Sequence, residues 1–272
     1  MDPDDAELIR IGENAVFRLT GSRVVVRIGR DDRHHSTAEV EVRTSRWLAD
    51  EGVPAVRALE FDQPVSACGR VVTFWESVGD RAEYGTPAEL GTLLRQLHAL
   101  NAPPWLPSFD PFTQNRDRLA ASTGLGDADH SLLLSELELL HDEYKLLNFA
   151  LAPGVVHGDA SVGNAFRTRN GAVVLGDLDG FAVGNREWDL VQTAMYADSF
   201  GWHTEAEYGA FVEAYGFDVR SWSGYLVMRN ARELMMVIWL AQNAADPSVA
   251  AELAKRLHAV RTGASRRDWV PF

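Results

Sequence analysis

The residues best suited to chemistry fall in two short stretches: Val155-Val156-His157-Gly158-Asp159-Ala160-Ser161-Val162-Gly163-Asn164 and Val173-Val174-Leu175-Gly176-Asp177-Leu178-Asp179-Gly180. Each runs from an apolar, strand-like entry into carboxylates and glycines. Between them, Asn170-Gly171 is the strongest two-residue hairpin signal. A turn at those residues pairs Thr168 with Val173, Phe166 with Leu175 and Asn164 with Asp177. Directly opposed residues have Cβ atoms about 4.5–5.5 Å apart, so an amide oxygen and a carboxylate come close enough to share one divalent ion. A bulge would slip this register by one. Phosphoryl transfer needs a carboxylate that receives or orients the acceptor hydroxyl, oxygen ligands for magnesium, and a cradle for the phosphates. Asp159, Asn164 and Asp177 supply the first two. Either tripeptide alone, His-Gly-Asp or Asp-Leu-Asp, is an ordinary turn sequence. Their joint occurrence, with Asp-x4-Asn and a short hairpin between, is what points to chemistry.

The elements that must position these groups follow from periodicity. Residues 14–19 and 23–28 are strand-like runs separated by Thr20-Gly21-Ser22, a hairpin signal. A helix is predicted from Thr37 to Asp50, opened by a capping-box pattern at Ser36-Thr37-Ala38-Glu39, with Val40, Thr44, Trp47 and Leu48 on one face. Pro54–Val56 and Arg70–Trp75 supply further strands, and the second runs into Glu76-Ser77-Val78-Gly79. Thr86-Pro87-Ala88-Glu89 then opens a helix to about Leu100, with Leu90, Leu93, Leu94 and Leu97 at helical spacing. Ser131–Phe149, Leu226–Ala245 and Ser248–Val260 also read as helices. The pattern predicts an α+β chain, with a small β-rich lobe over residues 1–78 and a larger helical lobe over 79–272.

His157-Gly158-Asp159-x4-Asn164, then Leu175-Gly176-Asp177-Leu178-Asp179-Gly180, then Arg186-Glu187-Trp188-Asp189-Leu190 resemble the aminoglycoside phosphotransferase and choline kinase-like superfamily. The resemblance runs from Gly12-Glu13-Asn14 through Leu97-His98 to Trp188-Asp189. It implies a protein-kinase-like two-lobed fold, ATP or GTP as phosphoryl donor, Mg2+ as cofactor, and a small hydroxylated acceptor such as an aminoglycoside or another antibiotic or metabolite. By the same resemblance Asp159 is the catalytic base, Asn164 and Asp177 bind magnesium, and His157 supports the loop. Asp179 is either a turn carboxylate or a group behind the ligands. Asp189 reads most simply as a residue favouring the first turn of a helix that begins near Asn185.

On the nucleotide side, Gly12-Glu13-Asn14 resembles the turn that covers the phosphates, though it lacks multiple glycines. Val25 and Arg27 share a face of their strand, because side chains alternate. Kinases put a small residue and a lysine in that arrangement. This chain has only two lysines, Lys145 and Lys255, so Arg27 is the natural substitute, with Glu41 as its helix partner because the capping box occupies Glu39. Arginine is longer and planar, so phosphate positioning differs. Trp75-Glu76-Ser77-Val78 would be the hinge whose backbone bonds the base.

Composition narrows the rest. A formal charge of −13 argues against nucleic acid, which needs a basic footprint. With Glu205, Glu207, Glu213 and Glu233 in the helical lobe, it suggests a cationic or amine-bearing acceptor. Cys68 is the single cysteine, which excludes an intrachain disulfide and favours a reducing compartment. The acidic N-terminus has no signal-peptide pattern and the longest apolar run is too short to span a membrane, so the expected setting is cytoplasmic. Two other readings stay open: a metal-dependent phosphoesterase using His157, Asp159, Asp177 and Asp179, and a catalytically silent nucleotide-binding module.

Overall fold

A computed structural model of the chain describes residues 5–12 and 14–271. Five antiparallel strands dominate its first part: β1 (Ala6–Ile11), β2 (Asn14–Leu19), β3 (Val24–Gly29), β4 (Val65–Ala67) and β5 (Arg70–Glu76), in spatial order β1-β2-β3-β5-β4. The predicted hairpin is β2–β3, with Leu19 opposite Val24 and Val16 opposite Arg27. Strand β1 is new relative to the sequence reading. All its residues are exposed, so no buried face imposes the alternation by which a strand is recognised. Gly12 therefore follows a strand, and Asn14 opens the second strand instead of the first. Val24 and Val26 pack with Leu19 and Val72 on one side of the sheet, while Val25 turns to the other side, against the main core.

That second side is covered by α1 (His35–Asp50), which buries Glu41, Val42, Thr44, Ser45 and Leu48. The predicted capping box does not form. A 3-10 turn over Asp32–His34 feeds straight into the helix, so Ser36 and Thr37 lie inside it and Glu39 pairs with His35 at 3.5 Å. Nor is Pro54–Val56 a strand. Ala55 makes an isolated parallel bridge to Leu175, with Val56 N–H donating to the Leu175 carbonyl at 2.8 Å and Leu175 N–H to that of Pro54 at 2.9 Å. This stitches the strand-rich lobe onto the helical one beside the chemistry-bearing hairpin.

The helical lobe opens with α2 (Pro87–His98). Here the predicted capping box is present: Thr86 caps Glu89 N–H, Glu89 reaches back, and Leu90, Leu93, Leu94 and Leu97 are buried. There follow α3 (Pro111–Ala120), α4 (Asp127–Lys145), the short strands β6 (Gly154–Val156), β7 (Ala165–Arg167), β8 (Val173–Leu175) and β9 (Ala182–Gly184), then α5 (Glu187–Met195), α6 (Glu205–Tyr215), α7 (Tyr225–Ala241) and α8 (Pro247–Thr262). Strands β6 and β9 pair, as do β7 and β8. The α+β two-lobed architecture is thus present. One hydrophobic cluster joins Val42, Leu48 and Trp75 of the first lobe to α2, α5 and α7 of the second, so the floor of the inter-lobe region is continuous core. Among the described residues, no helix is long and apolar enough to cross a membrane.

Candidate active site

The hairpin that carries the two carboxylate motifs is slipped by one from the predicted register. Ala165 faces Leu175, Phe166 faces Val174 and Arg167 faces Val173. Its cause is the turn: Thr168 N–H bonds to the Ala172 carbonyl at 2.8 Å, and Gly171 takes φ 86°. The loop is therefore three residues with a left-handed glycine instead of a two-residue turn. Asn164 consequently stands opposite Gly176, whose N–H donates to the Asn164 carbonyl at 2.8 Å. Asp177 lies one residue further on. It adopts a left-handed backbone, φ 55° and ψ 64°, and turns the chain into a 3-10 segment over Leu178–Gly180. A non-glycine residue in that region costs about 1–2 kcal/mol, and such strain concentrates at functional sites.

The two motif loops touch backbone to backbone. Gly158 has φ 85°, and a Cβ placed there would lie 2.4 Å from the Gly180 carbonyl oxygen; one placed on Gly180 would lie 2.8 Å from the His157 carbonyl oxygen. Only glycine fits either position. His157 is fully buried and clamps the same junction: Nε2 donates to the Gly176 carbonyl at 2.9 Å, leaving Nδ1 to accept Asp159 N–H at 3.4 Å.

Asp189 does something quite different from favouring a helix terminus. It sits in the first turn of α5 but is wholly buried. Its carboxylate accepts from His157 N–H at 2.6 Å, Gly158 N–H at 2.9 Å and His98 Nε2 at 3.1 Å. Burial opposes ionisation, but the His98 hydrogen bond and the neighbouring imidazoles win and hold the carboxyl below its ordinary range. His98 in turn bonds Tyr215 Oη at 2.8 Å. Asp189 is thus the anchor of the loop that presents Asp159. Asp189→Ala leaves three donors without an acceptor, two of them on buried residues. It should lower unfolding free energy by about 3 kcal/mol or more, read by urea denaturation; a loss under about 1 kcal/mol, the worth of an ordinary hydrogen bond, contradicts this role.

Asp159 itself is 58% exposed on its side chain, unlike His157 and Asp189, which hold its loop from within. Asn164 Nδ2 donates to the Asp159 carbonyl at 2.8 Å and to Oδ2 at 3.1 Å. With Nδ2 so committed, the amide turns Oδ1 to its other side. Asn164 and Asp177, both at the open end of the β7–β8 hairpin, then offer hard oxygen donors of the kind Mg2+ takes. The donor types suit such an ion, and the Asp177 carboxylate lies beside the Arg27 guanidinium at 3.4 Å.

From the first lobe, Arg27 reaches the same place. Its Nη1 donates to Glu41, 4% exposed on α1, and its Nη2 to Asp177 Oδ1 at 3.4 Å. Burial pushes the Glu41 carboxyl up to about 7, against the opposing pull of Arg27. Burial would lower the Arg27 guanidinium, but the carboxylates of Glu41, Asp177 and Asp179 outweigh it and keep its pKa raised. Asp179 is exposed and acts on Arg27 and Glu41 through its charge. The Trp75 indole is buried and donates to Thr73 Oγ1 at 2.9 Å, so its side chain belongs to the core. Glu76 N–H donates to the Arg57 carbonyl at 2.8 Å, and the Val78 carbonyl accepts Arg169 N–H at 3.1 Å. The Gly12 carbonyl accepts Arg30 Nη2 at 3.0 Å, and Asn14 faces Gly29 at the start of β2. Glu13 lies outside the described residues.

Two groups at the site have roles that the sequence reading does not assign, Trp188 standing there only as part of a motif. Trp188 Nε1 donates to the Gly158 carbonyl at 2.8 Å, and Arg232 of α7 donates to Asp159 Oδ1 at 3.2 Å. The available signal was a charge at helical spacing from Met228 and Met235, on the stripe that α7 buries. The acidic residues of the helical lobe, by contrast, have other work. Glu205 pairs with Arg220, Glu207 closes the capping box on Thr204, and Glu233 is buried against Arg229, Arg266 and Ser199. Glu213 is exposed on α6, so of the four carboxylates named for a cationic acceptor two are paired with arginines and one with a helix cap.

Comparison with known proteins bears on the fold and the family. A search of curated proteins finds no match. Among solved structures, an amicoumacin kinase in complex with AMP-PNP, Ca2+ and Ami superposes with a TM-score of 0.73 at 15% identity, over 99% of this chain and 92% of that one. A spectinomycin phosphotransferase in complex with ADP and spectinomycin gives 0.65 at 16%, over 94% and 88%. A microcompartment-associated aminopropanol kinase gives 0.66 at 21%, over 94% and 89%. These likenesses show the fold. The model of the phosphotransferase enzyme family matches residues 6–225, spanning β1, Arg27, both carboxylate motifs and Asp189, and the chain belongs to that family.

Proposed function

We propose that this protein is a small-molecule kinase that transfers the γ-phosphoryl group of ATP or GTP to a hydroxyl of an aminoglycoside-like or other hydroxylated metabolite or antibiotic. The observation that carries the reading is the Asp159 carboxylate, exposed on a loop anchored by the buried His157 and Asp189, next to Asn164 and the Asp177 turn. The nucleotide lies between the lobes of residues 1–78 and 79–272. Its base bonds the Glu76 carbonyl and Val78 N–H, the hinge groups left by the bonds to Arg57 and Arg169, and packs on Val25. Its phosphates meet Arg27 and the Gly12–Asn14 turn. Asn164 and Asp177 hold Mg2+, which when bound neutralises charge on the phosphates. Asp159 takes the proton as the acceptor oxygen bonds to phosphorus and the bond to the leaving nucleoside diphosphate breaks. A reducing, cytoplasmic setting suits the lone Cys68. The amine-bearing character of the acceptor is supported by the likeness to a spectinomycin phosphotransferase and an aminopropanol kinase and by the charge of −13.

Nucleotide consumption with and without a panel of hydroxylated acceptors tests the reading: acceptor-dependent release of nucleoside diphosphate supports it. Binding without consumption would favour the silent module, and hydrolysis of phosphomonoesters the phosphoesterase. Against the latter, the described residues contain no cluster of three or more His, Cys, Asp or Glu that could hold a metal.

Arg27→Ala should weaken nucleotide binding far more than acceptor binding. A hydrogen bond to a charged group is worth about 1.5–3 kcal/mol, roughly tenfold to a hundredfold in affinity. Nucleotide titration of the folded variant, beside Arg27→Lys, reads this directly. Unchanged kinetics for both substrates would leave Arg27 only its pairing with Glu41.

A further inference from the structure

Arg232 is a charge on the buried face of a helix. Met228, Ala231, Met235 and Ile238 of α7 point into the core, and Arg232 falls in the same rows, with only 8% of its side chain exposed. A guanidinium removed from water needs partners. Its Nη1 donates to the Gly158 carbonyl at 3.2 Å, its Nη2 to Asp159 Oδ1 at 3.2 Å, and its plane lies 4.8 Å from the Trp188 ring centre. Trp188 closes the set by donating to the same Gly158 carbonyl. Every partner belongs to the loop that carries Asp159 or packs against it.

The two oxygens of Asp159 are therefore held from opposite sides, Oδ1 by a helix of the second lobe and Oδ2 by Asn164. Residues 157–164 contain no lysine or arginine of their own. Any cation fixing the base must come from outside the loop, and α7 delivers one. A planar fork can span a backbone carbonyl and a carboxylate oxygen at once, which an ammonium cannot do in the same geometry.

We propose that Arg232 is a positioning residue for phosphoryl transfer, holding the Asp159 carboxylate in the orientation that meets the acceptor hydroxyl. This rests on the kinase reading above. Arg232 neither gives nor takes the proton; its contribution is orientation, and a misplacement of about 1 Å at a reacting group can cost on the order of a hundredfold.

The test compares Arg232→Met, Arg232→Lys, Asp159→Asn and the Asp159→Asn/Arg232→Met double variant. Each is checked for folding by thermal melting and assayed for nucleoside diphosphate release from MgATP with an acceptor found in the panel. Arg232→Met should lower kcat by roughly tenfold to a hundredfold while nucleotide KM stays within about twofold. Arg232→Lys should recover only part of the loss, and the double variant should be no slower than Asp159→Asn alone. A folded Arg232→Met with kcat near that of the unmutated protein, or losses that multiply in the double variant, overturns the proposal while leaving the kinase reading intact. If Arg232→Met does not fold, Arg232→Lys decides: full kcat there overturns the fork, and a loss of kcat at unchanged KM supports it. Near-normal kcat in Asp159→Asn would remove Asp159 from the mechanism and overturn the proposal with it, whereas no acceptor-dependent release by the unmutated protein would remove the kinase reading itself.

Discussion

Asp159→Asn is expected to lower turnover by at least about a hundredfold while nucleotide affinity and metal dependence stay nearly intact. The substitution is close to isosteric: the amide oxygen can still accept from Arg232, which lies 3.2 Å from Oδ1, while the amide NH2 that replaces Oδ2 gives up only the 3.1 Å bond from Asn164. What it cannot do is take a proton. General-base help is typically worth about 10²–10⁴-fold. The transition state of phosphoryl transfer is loose, so positioning and charge neutralisation supply the rest of the rate and survive the change. The fold should survive too, because the loop is held by the buried His157 and Asp189 and not by the Asp159 side chain. Steady-state kinetics against both substrates give the answer, and near-normal turnover removes Asp159 from the mechanism.

Asp177→Ala should abolish turnover altogether and take the metal response with it. Asp177 supplies a carboxylate oxygen at the hairpin end and is also the residue that Arg27 Nη2 reaches at 3.4 Å. Removing it deprives the phosphates of one ligand for their counter-ion and loosens the guanidinium that should contact them. Alanine in a left-handed backbone at φ 55° adds strain, so Asp177→Asn, which tolerates that conformation, separates backbone from chemistry. Both variants should be inactive at millimolar Mg2+, with melting temperatures near that of the parent for Asp177→Asn. Activity retained in Asp177→Asn with an unchanged Mg2+ titration would mean that another group holds the ion.

The architecture was legible wherever a physical signal was strong and local. The Thr86–Glu89 capping box, the leucine stripe of α2 and the β2–β3 hairpin needed only the chain's own pattern. Most of the missed elements lack such a pattern, α6 being the exception, since its Thr204–Glu207 capping box is as local a signal as that of α2. β1 is wholly exposed, β4 is three residues long, and α3 carries few apolar residues between its Asp110 cap and Ala120. At the site, residue types and their order pointed to the hairpin, but its register depended on whether Asn170-Gly171 formed the whole turn or part of a three-residue one, a choice made by the Thr168–Ala172 bond. Asp189 and Arg232 were harder for a different reason. What each does depends on long-range partners: Asp189 reaches back to residues 157, 158 and 98, and Arg232 to 158 and 159. No spacing along the chain encodes those contacts.

The measurement that bears most directly on the central claim is transfer of label from γ-32P-ATP or γ-32P-GTP to a panel of hydroxylated acceptors, run with Mg2+ and with EDTA, for the unmutated protein and Asp159→Asn side by side. The account predicts a labelled phosphomonoester of at least one acceptor, formed only with Mg2+ and at least about a hundredfold more slowly by Asp159→Asn. Label appearing only as inorganic phosphate whatever acceptor is present, or a labelled acceptor formed equally fast by Asp159→Asn, would contradict it.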